Sequence, residues 1–165
     1  MRTETTLLIR APLDDVYDLA AAVERWPALL PHYRYVHICY SRGRARLVEM
    51  AVRRHWIPVW WLAVQECHPD VPEISFRHVR GITSGLTAEW SFAARPDGVQ
   101  VSIRHDFRPT WRLGGGVIAE RIVGPLLVDR LAARTLGRIK AMAEARLAGR
   151  RQAGAGGTLP SVTTS

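Results

Sequence analysis

Ala11–Tyr33 reads APLDDVYDLAAAVERWPALLPHY, and its reading decides the architecture. Before it, Thr3–Arg10 alternates with period two, Leu7 and Ile9 against Leu8 and Arg10, which predicts a strand. Pro12 ends that strand and suits the first turn of a helix. Leu13, Val16, Tyr17 and Ala20 then recur at i, i+3, i+4 and i+7, so one helix face is apolar. Asp14, Asp15 and Asp18 fall near its positive end or on its wet face. Trp26-Pro27 breaks the helix, and Ala28–Leu30 make a short second one stopped by Pro31.

Strands follow in series. Tyr33–Tyr40 and Arg44–Arg54 are joined by Ser41-Arg-Gly43, a hairpin turn. Ile57–Cys67, Glu73–Val79, Leu86–Ala94 and Val99–Phe107 come next, punctuated by Pro69-Asp70-Val71-Pro72 and by Pro96-Asp97-Gly98. Tight turns between successive strands imply an antiparallel sheet. After a loop over Pro109–Gly116, the spacing of Ile118, Ile122, Leu126, Leu127, Leu131, Leu136, Ile139 and Met142 predicts a helix over about Val117–Leu147, with a kink at Gly124-Pro125. Ala153–Ser165 has almost no charge and little to pack. The division is therefore one domain over 1–148 and a disordered tail over 149–165. The class is α+β, with about seven strands against one long C-terminal helix.

At 165 residues the chain has one domain's length, and 47% hydrophobic residues supply a core. There is no apolar run of membrane-spanning length and no hydrophobic leader after Met1, which places the protein in the cytoplasm. Cys39 and Cys67 fit neither a metal pair nor a disulfide framework and read as reduced, small buried strand residues. The net charge of +8 raises nucleic acid as a partner. Its arginines are scattered along the chain, which argues against that and leaves a general attraction to anionic partners. The six histidines lack metal-site spacing, and no phosphate-loop or GxSxG motif is present.

Alternation also selects the inward faces. On the last strand Val99, Val101, Ile103 and Phe107 share a face with His105, a neutral-range base among apolar neighbours. Ala88, Trp90 and Phe92 face the same way, as do Ile74, Phe76 and His78. In Ile57–Cys67 the inward set is Ile57, Val59, Trp61, Ala63, Gln65 and Cys67. That leaves Trp56 and Trp60 as an outward aromatic patch suited to a homodimer or partner surface. Arg54 continues the face of Val48, Met50 and Val52, where a guanidinium suits a carbonyl or carboxylate. Trp26, Tyr33 and Tyr35 sit where the short helices meet the sheet.

The order strand, two short helices, strand series, long helix resembles the helix-grip fold of the START-like (SRPBCC, Bet v 1-like) superfamily, a curved sheet wrapped around its last helix. Trp26-Pro-Ala-Leu-Leu-Pro-His-Tyr33 is similar to the WPxLFxxY element of the polyketide cyclase/aromatase branch. Arg77-His-Val, Gly85-Leu-Thr-Ala-Glu-Trp90 and Gly98-Val-Gln-Val-Ser-Ile-Arg-His-Asp-Phe107 resemble that branch's later run. The resemblance implies a pocket holding a poly-β-ketone while a ring closes by aldol addition and dehydration, without metal or redox cofactor. It carries pocket roles onto Trp26, Tyr33, Trp90 and His105. One departure stands out. Aromatases of the branch carry Ser-x-Arg on the strand that here reads Trp61-Leu-Ala-Val-Gln-Glu-Cys67, with no arginine.

The expected function is thus a polyketide cyclase-like one, with His105, Arg54 and Tyr33 as catalytic candidates. Trp26, Trp61, Gln65, Phe76, His78, Trp90 and Ile103 are the ligand-binding candidates. The partner is a hydrophobic small molecule, polyketide or quinone, with an acyl carrier protein as a further candidate. The alternative is a non-catalytic carrier of a quinone or lipid, which the missing arginine favours.

Overall fold

Apolar residues on alternate positions become the buried face of a single seven-stranded sheet. The structure, a computed structural model, describes residues 2–54, 57–108 and 128–155, side chains at 54, 57, 58 and 155 excepted. The strands are β1 (Arg2–Ile9), β2 (Tyr33–Arg42), β3 (Ala45–Arg54), β4 (Ile57–His68), β5 (Glu73–Gly81), β6 (Leu86–Arg95) and β7 (Gly98–Phe107). Their spatial order is β1-β7-β6-β5-β4-β3-β2, antiparallel at every pairing. The chain crosses from edge strand β1 to edge strand β2 through α1 (Leu13–Ala21), a 3₁₀ turn (Val23–Arg25) and α2 (Trp26–Leu29). The long helix α3 (Arg130–Ala155) lies against the same face, giving the expected helix-grip arrangement.

The inward set is buried as the alternation requires. Val99, Val101, Ile103, His105 and Phe107 of β7 are all buried, as are Ala88, Trp90 and Phe92 of β6 and Val48, Met50 and Val52 of β3. From α3 they meet Ala132, Leu136, Ile139 and Ala143, with Leu131 and Met142 at the margin. Polar clips hold α3 to the sheet edge. Lys140 Nζ donates to the Leu8 carbonyl at 2.8 Å and to Glu144 at 2.6 Å, and Glu144 accepts the Arg10 backbone N–H at 2.9 Å. Thr3 donates its hydroxyl to Asp129 at 2.6 Å.

Several details differ from the sequence expectation. The second helix begins at Trp26 and contains Pro27 in its first turn, where the missing N–H costs nothing. β2 extends to Arg42, so the hairpin turns at Gly43 and Arg44; Gly43 has φ +58°, a value glycine adopts freely. α3 continues to Ala155, well past Leu147, and Arg150 on that extension pairs with Asp15 of α1. Residues 150–154 are exposed. Cys39 is exposed and Cys67 half-buried, against the expectation of two buried thiols; Cys39 lies on the outer part of edge strand β2. Trp60 is 45% exposed on the outer face of β4, whereas Trp56 lies outside the described residues, as do the loop from 109 and the expected kink at Gly124-Pro125. No helix among the described residues is long and apolar enough to cross a membrane.

Candidate ligand site between the sheet and the long helix

A cavity of about 60 Å³ lies between the sheet and the first turns of α3. Its aromatic wall is continuous. Trp26 is 5.0 Å from Tyr33, 6.1 Å from Trp90 and 6.2 Å from Phe76, ring centre to ring centre. Tyr33 in turn lies 6.4 Å from Trp61, which stacks on His78 at 5.5 Å and 12°. Met50, Leu86, Ala88, Val128, Leu131 and Ala132 complete the apolar lining, and Thr83, His105 and Thr135 add polar groups.

Local structure explains the placement. A register shift between Leu62 and Ala63 lets β5 bulge, so that Ala63 opposes His78 while Trp61 opposes Gly81. Gly81 has φ +95°, and a Cβ there would stand 2.5 Å from the Trp60 carbonyl oxygen and 2.9 Å from the Trp61 Cα. Only glycine permits that approach. His105 is opposite Ala88 on β6 and Thr3 on β1. Thr3 holds Asp129, so a carboxylate stands on the helix side of His105.

The polar atoms divide into those in use and those left over. Trp26 Nε1 donates to the Leu19 carbonyl at 3.1 Å, and His78 Nδ1 shares a 2.7 Å hydrogen bond with Thr83. Trp61 Nε1 and His105 Nδ1 are buried without a partner. Buried polar atoms are nearly always bonded, so these two leave hydrogen-bonding capacity on the cavity wall that the described residues do not use. Burial drives the histidines toward their neutral forms. His78 is pulled down to about 3 by desolvation and by neighbouring His105. His105 is lowered by desolvation, against which Asp129 pulls its pKa upward. Desolvation raises the Tyr33 phenol well above its ordinary range, so it remains a donor. The wall thus offers a neutral base beside a carboxylate and two weak-acid donors.

The structure brings most of the expected residues together: Trp26, Tyr33, Trp61, Phe76, His78, Trp90 and His105 all line the cavity. Two do not. Ile103 is buried but lies off the wall, and Gln65, also buried, donates its amide to the Ala21 carbonyl at 2.9 Å, fastening the end of α1 to β4. Arg54 ends β3 opposite Ile57, and its side chain lies outside the described residues. Reading strand faces overlooked Thr83, in the β5–β6 turn, and Thr135 and Asp129 near the start of α3. For Thr135 a signal exists: it stands one residue before Leu136, on a helical face otherwise apolar. Among the described residues no group of three metal-ligating side chains occurs.

Comparison with known proteins agrees with the fold. The chain is 30% identical over 146 residues to the granaticin polyketide synthase bifunctional cyclase/dehydratase of Streptomyces violaceoruber, covering 87% of this chain and 44% of that one. It is 26% identical over 108 residues to the actinorhodin polyketide synthase bifunctional cyclase/dehydratase of Streptomyces coelicolor, covering 64% of this chain and 34% of that one. The chain therefore spans less than half the length of these relatives. In fold it matches the crystal structure of the Zhui aromatase/cyclase from Streptomyces sp. R1128, with a TM-score of 0.80, 20% identity, and coverage of 89% of this chain and 95% of that one. The family profile described as polyketide cyclase / dehydrase and lipid transport matches residues 9–133, and the chain belongs to that family.

Proposed function

We propose that the cavity binds a poly-β-ketone and promotes its ring closure by aldol addition and dehydration. The observation that carries this is the pair of unpartnered atoms, Trp61 Nε1 and His105 Nδ1, on a wall that is otherwise apolar and aromatic. In this reading neutral His105 accepts the proton from a carbon between two ketones. The enolate carbon bonds to a second carbonyl carbon, and that oxygen takes a proton. Loss of a further α-proton with departure of the hydroxyl releases one water. Trp61 N–H and the Tyr33 phenol donate to the carbonyl oxygens while charge develops, and Asp129 stabilises the imidazolium formed on His105. General acid–base help of this kind is worth about 10²–10⁴ in rate, and holding one folded conformer of the chain adds to it. Met50 is the adaptable wall residue, since an unbranched thioether repacks readily as a larger ligand seats.

An acyl carrier protein fits as the partner delivering the substrate. Arg130, Arg134 and Arg138 recur at i, i+4 and i+8 on the exposed face of the helix whose other face walls the cavity. None of the three has an ion-pair partner among the described residues, and such a row attracts an acidic surface. The cytoplasm is the compartment this role requires.

The test is reconstitution with a minimal polyketide synthase. Added protein should redirect shunt products to a ring-closed product; identical products with and without it would remove the enzymatic reading. The absence of arginine from β4 favours a second reading, a carrier of a quinone or lipid. Solvent extraction of protein purified from its host distinguishes the two: a co-purified isoprenoid quinone supports the carrier.

A further inference from the structure

His32 lies outside the cavity wall and takes no part in the chemistry proposed above, yet it is buried, with only 5% of its surface exposed. Its Nε2 shares a 3.0 Å hydrogen bond with the Thr135 hydroxyl, and its ring packs on Tyr33 at 4.9 Å. Thr135 and Tyr33 both line the cavity, and the Thr135 hydroxyl bears on the Tyr33 phenol, opposing the rise in pKa that burial causes. His32 Nδ1 is buried without a partner. The backbone around His32 is fixed as well, since its carbonyl accepts the Arg53 N–H at 3.1 Å.

We infer that His32 is a positioning residue that sets the direction of a donor chain running from His32 through Thr135 to Tyr33 and into the cavity. The inference rests on the poly-ketone reading for the ligand's carbonyl, though not for the chain itself. Its direction follows from the orphaned nitrogen. A buried N–H without an acceptor is rarer than a buried acceptor without a donor. Nδ1 therefore carries the bare lone pair and Nε2 the hydrogen. His32 Nε2–H then donates to Thr135 Oγ1, whose only hydrogen is left for the neighbouring Tyr33 oxygen. The phenol hydrogen, with its own oxygen already served, is left to donate to a ligand carbonyl. The neutral imidazole that this requires agrees with its surroundings: desolvation, with Arg134 and Arg138 nearby, brings its pKa down to about 4. Without His32, the Thr135 hydroxyl is free to donate to the carbonyl one turn back in its own helix, the usual habit of helical threonine. Tyr33 then spends its hydrogen on Thr135 rather than on the ligand.

Two measurements test this. Nitrogen-15 NMR of the histidine rings in the free protein should show His32 as a neutral Nε2–H tautomer near neutral pH, with Nδ1 unprotonated. A protonated Nδ1 overturns the donor chain. The second compares two bicycles of nearly equal shape, 1-tetralone and tetralin, by tryptophan quenching. Wild type should prefer the ketone by roughly 2- to 10-fold, the worth of one hydrogen bond. The preference should vanish in His32→Phe and Thr135→Val and persist in His32→Gln, whose amide reaches Thr135 as a donor, and in Thr135→Ser. An unchanged preference in a folded His32→Phe overturns the positioning role. If wild type binds neither bicycle, the ligand reading is what fails, and the tautomer still decides the chain.

Discussion

Around α1, the buried donors are spent on the fold: Trp26 on the Leu19 carbonyl, Gln65 on the Ala21 carbonyl and Tyr17 on the Glu73 carbonyl at 3.3 Å. Of that set only the Gln65 Oε1 is left over. Under the first turns of α3 the pattern reverses. There Trp61 keeps a free N–H and His105 a free Nδ1, although both are as buried as Trp26. Two regions of one core, built from the same residue types, thus differ in whether hydrogen-bonding capacity is closed internally. The closed region holds α1 on the sheet; the open one leaves hydrogen-bonding capacity unspent.

The largest expected effect is on turnover. His105→Gln keeps a donor and most of the shape but removes the base, so product formation in the reconstituted assay should fall by about 10²–10⁴ while ligand binding survives. A Gln variant that turns over like wild type would reduce His105 to lining.

The next effect separates the two regions by stability. Trp26→Ala opens a void beside Tyr33, Phe76 and Trp90 and strips the Leu19 carbonyl of its donor, so chemical denaturation should show a loss of about 3–5 kcal/mol. Trp61→Phe removes an N–H that has no partner and should cost less than about 1.5 kcal/mol. Equal losses would erase the distinction drawn here.

Acid sharpens it further. His78 stays neutral down to about 3 and His32 to about 4 against an ordinary 6.5, and His105 is shifted the same way. Protons in that window bind the unfolded chain first, so stability is complete above the ordinary histidine value and declines as the pH falls below it. Asp15 and Glu144, whose pKa values are lowered by Arg150 and Lys140, add their own loss only at more acid pH. Urea unfolding between about pH 7 and pH 5 therefore isolates the histidines, and replacing His78 should reduce proton uptake on unfolding by up to one. A flat profile would show that these rings are not buried neutral.

The smallest effects belong to the helix end. Arg150 and Asp15 pair at the surface, so Arg150→Ala, or a chain ending at Ala155, should shift stability by no more than about 0.5 kcal/mol, roughly 1–2 °C in Tm. A larger drop would show that residues beyond the helix pack.

Strands and inward faces were legible because period-two alternation is a local property, and each of β3 to β7 begins or ends within two residues of its expected bounds. The motif run around Trp26 was legible for the same reason. Depth along a strand was not. Gln65 and Trp61 share a face of β4, yet one meets the end of α1 and the other the cavity, a difference set by where the helices cross the sheet. Thr83 reaches His78 through a turn, and His32 reaches Thr135 across 103 positions of sequence, so no spacing rule connects them. Cys39 was misjudged because cysteine's general preference for the interior says nothing about which strand forms the edge.

Lys140 is the only lysine in the chain, and it is the residue that ties α3 to the Leu8 carbonyl. This makes helix docking chemically addressable. An amine-directed acylating reagent has one internal side chain to attack, and that amine is engaged by Leu8 and Glu144 whenever the helix is seated. Its labelling rate, followed by intact mass, would thus report how well the Leu8 contact shields an amine whose side chain is about a third exposed, with arginines supplying the remaining positive charge and staying silent to the reagent.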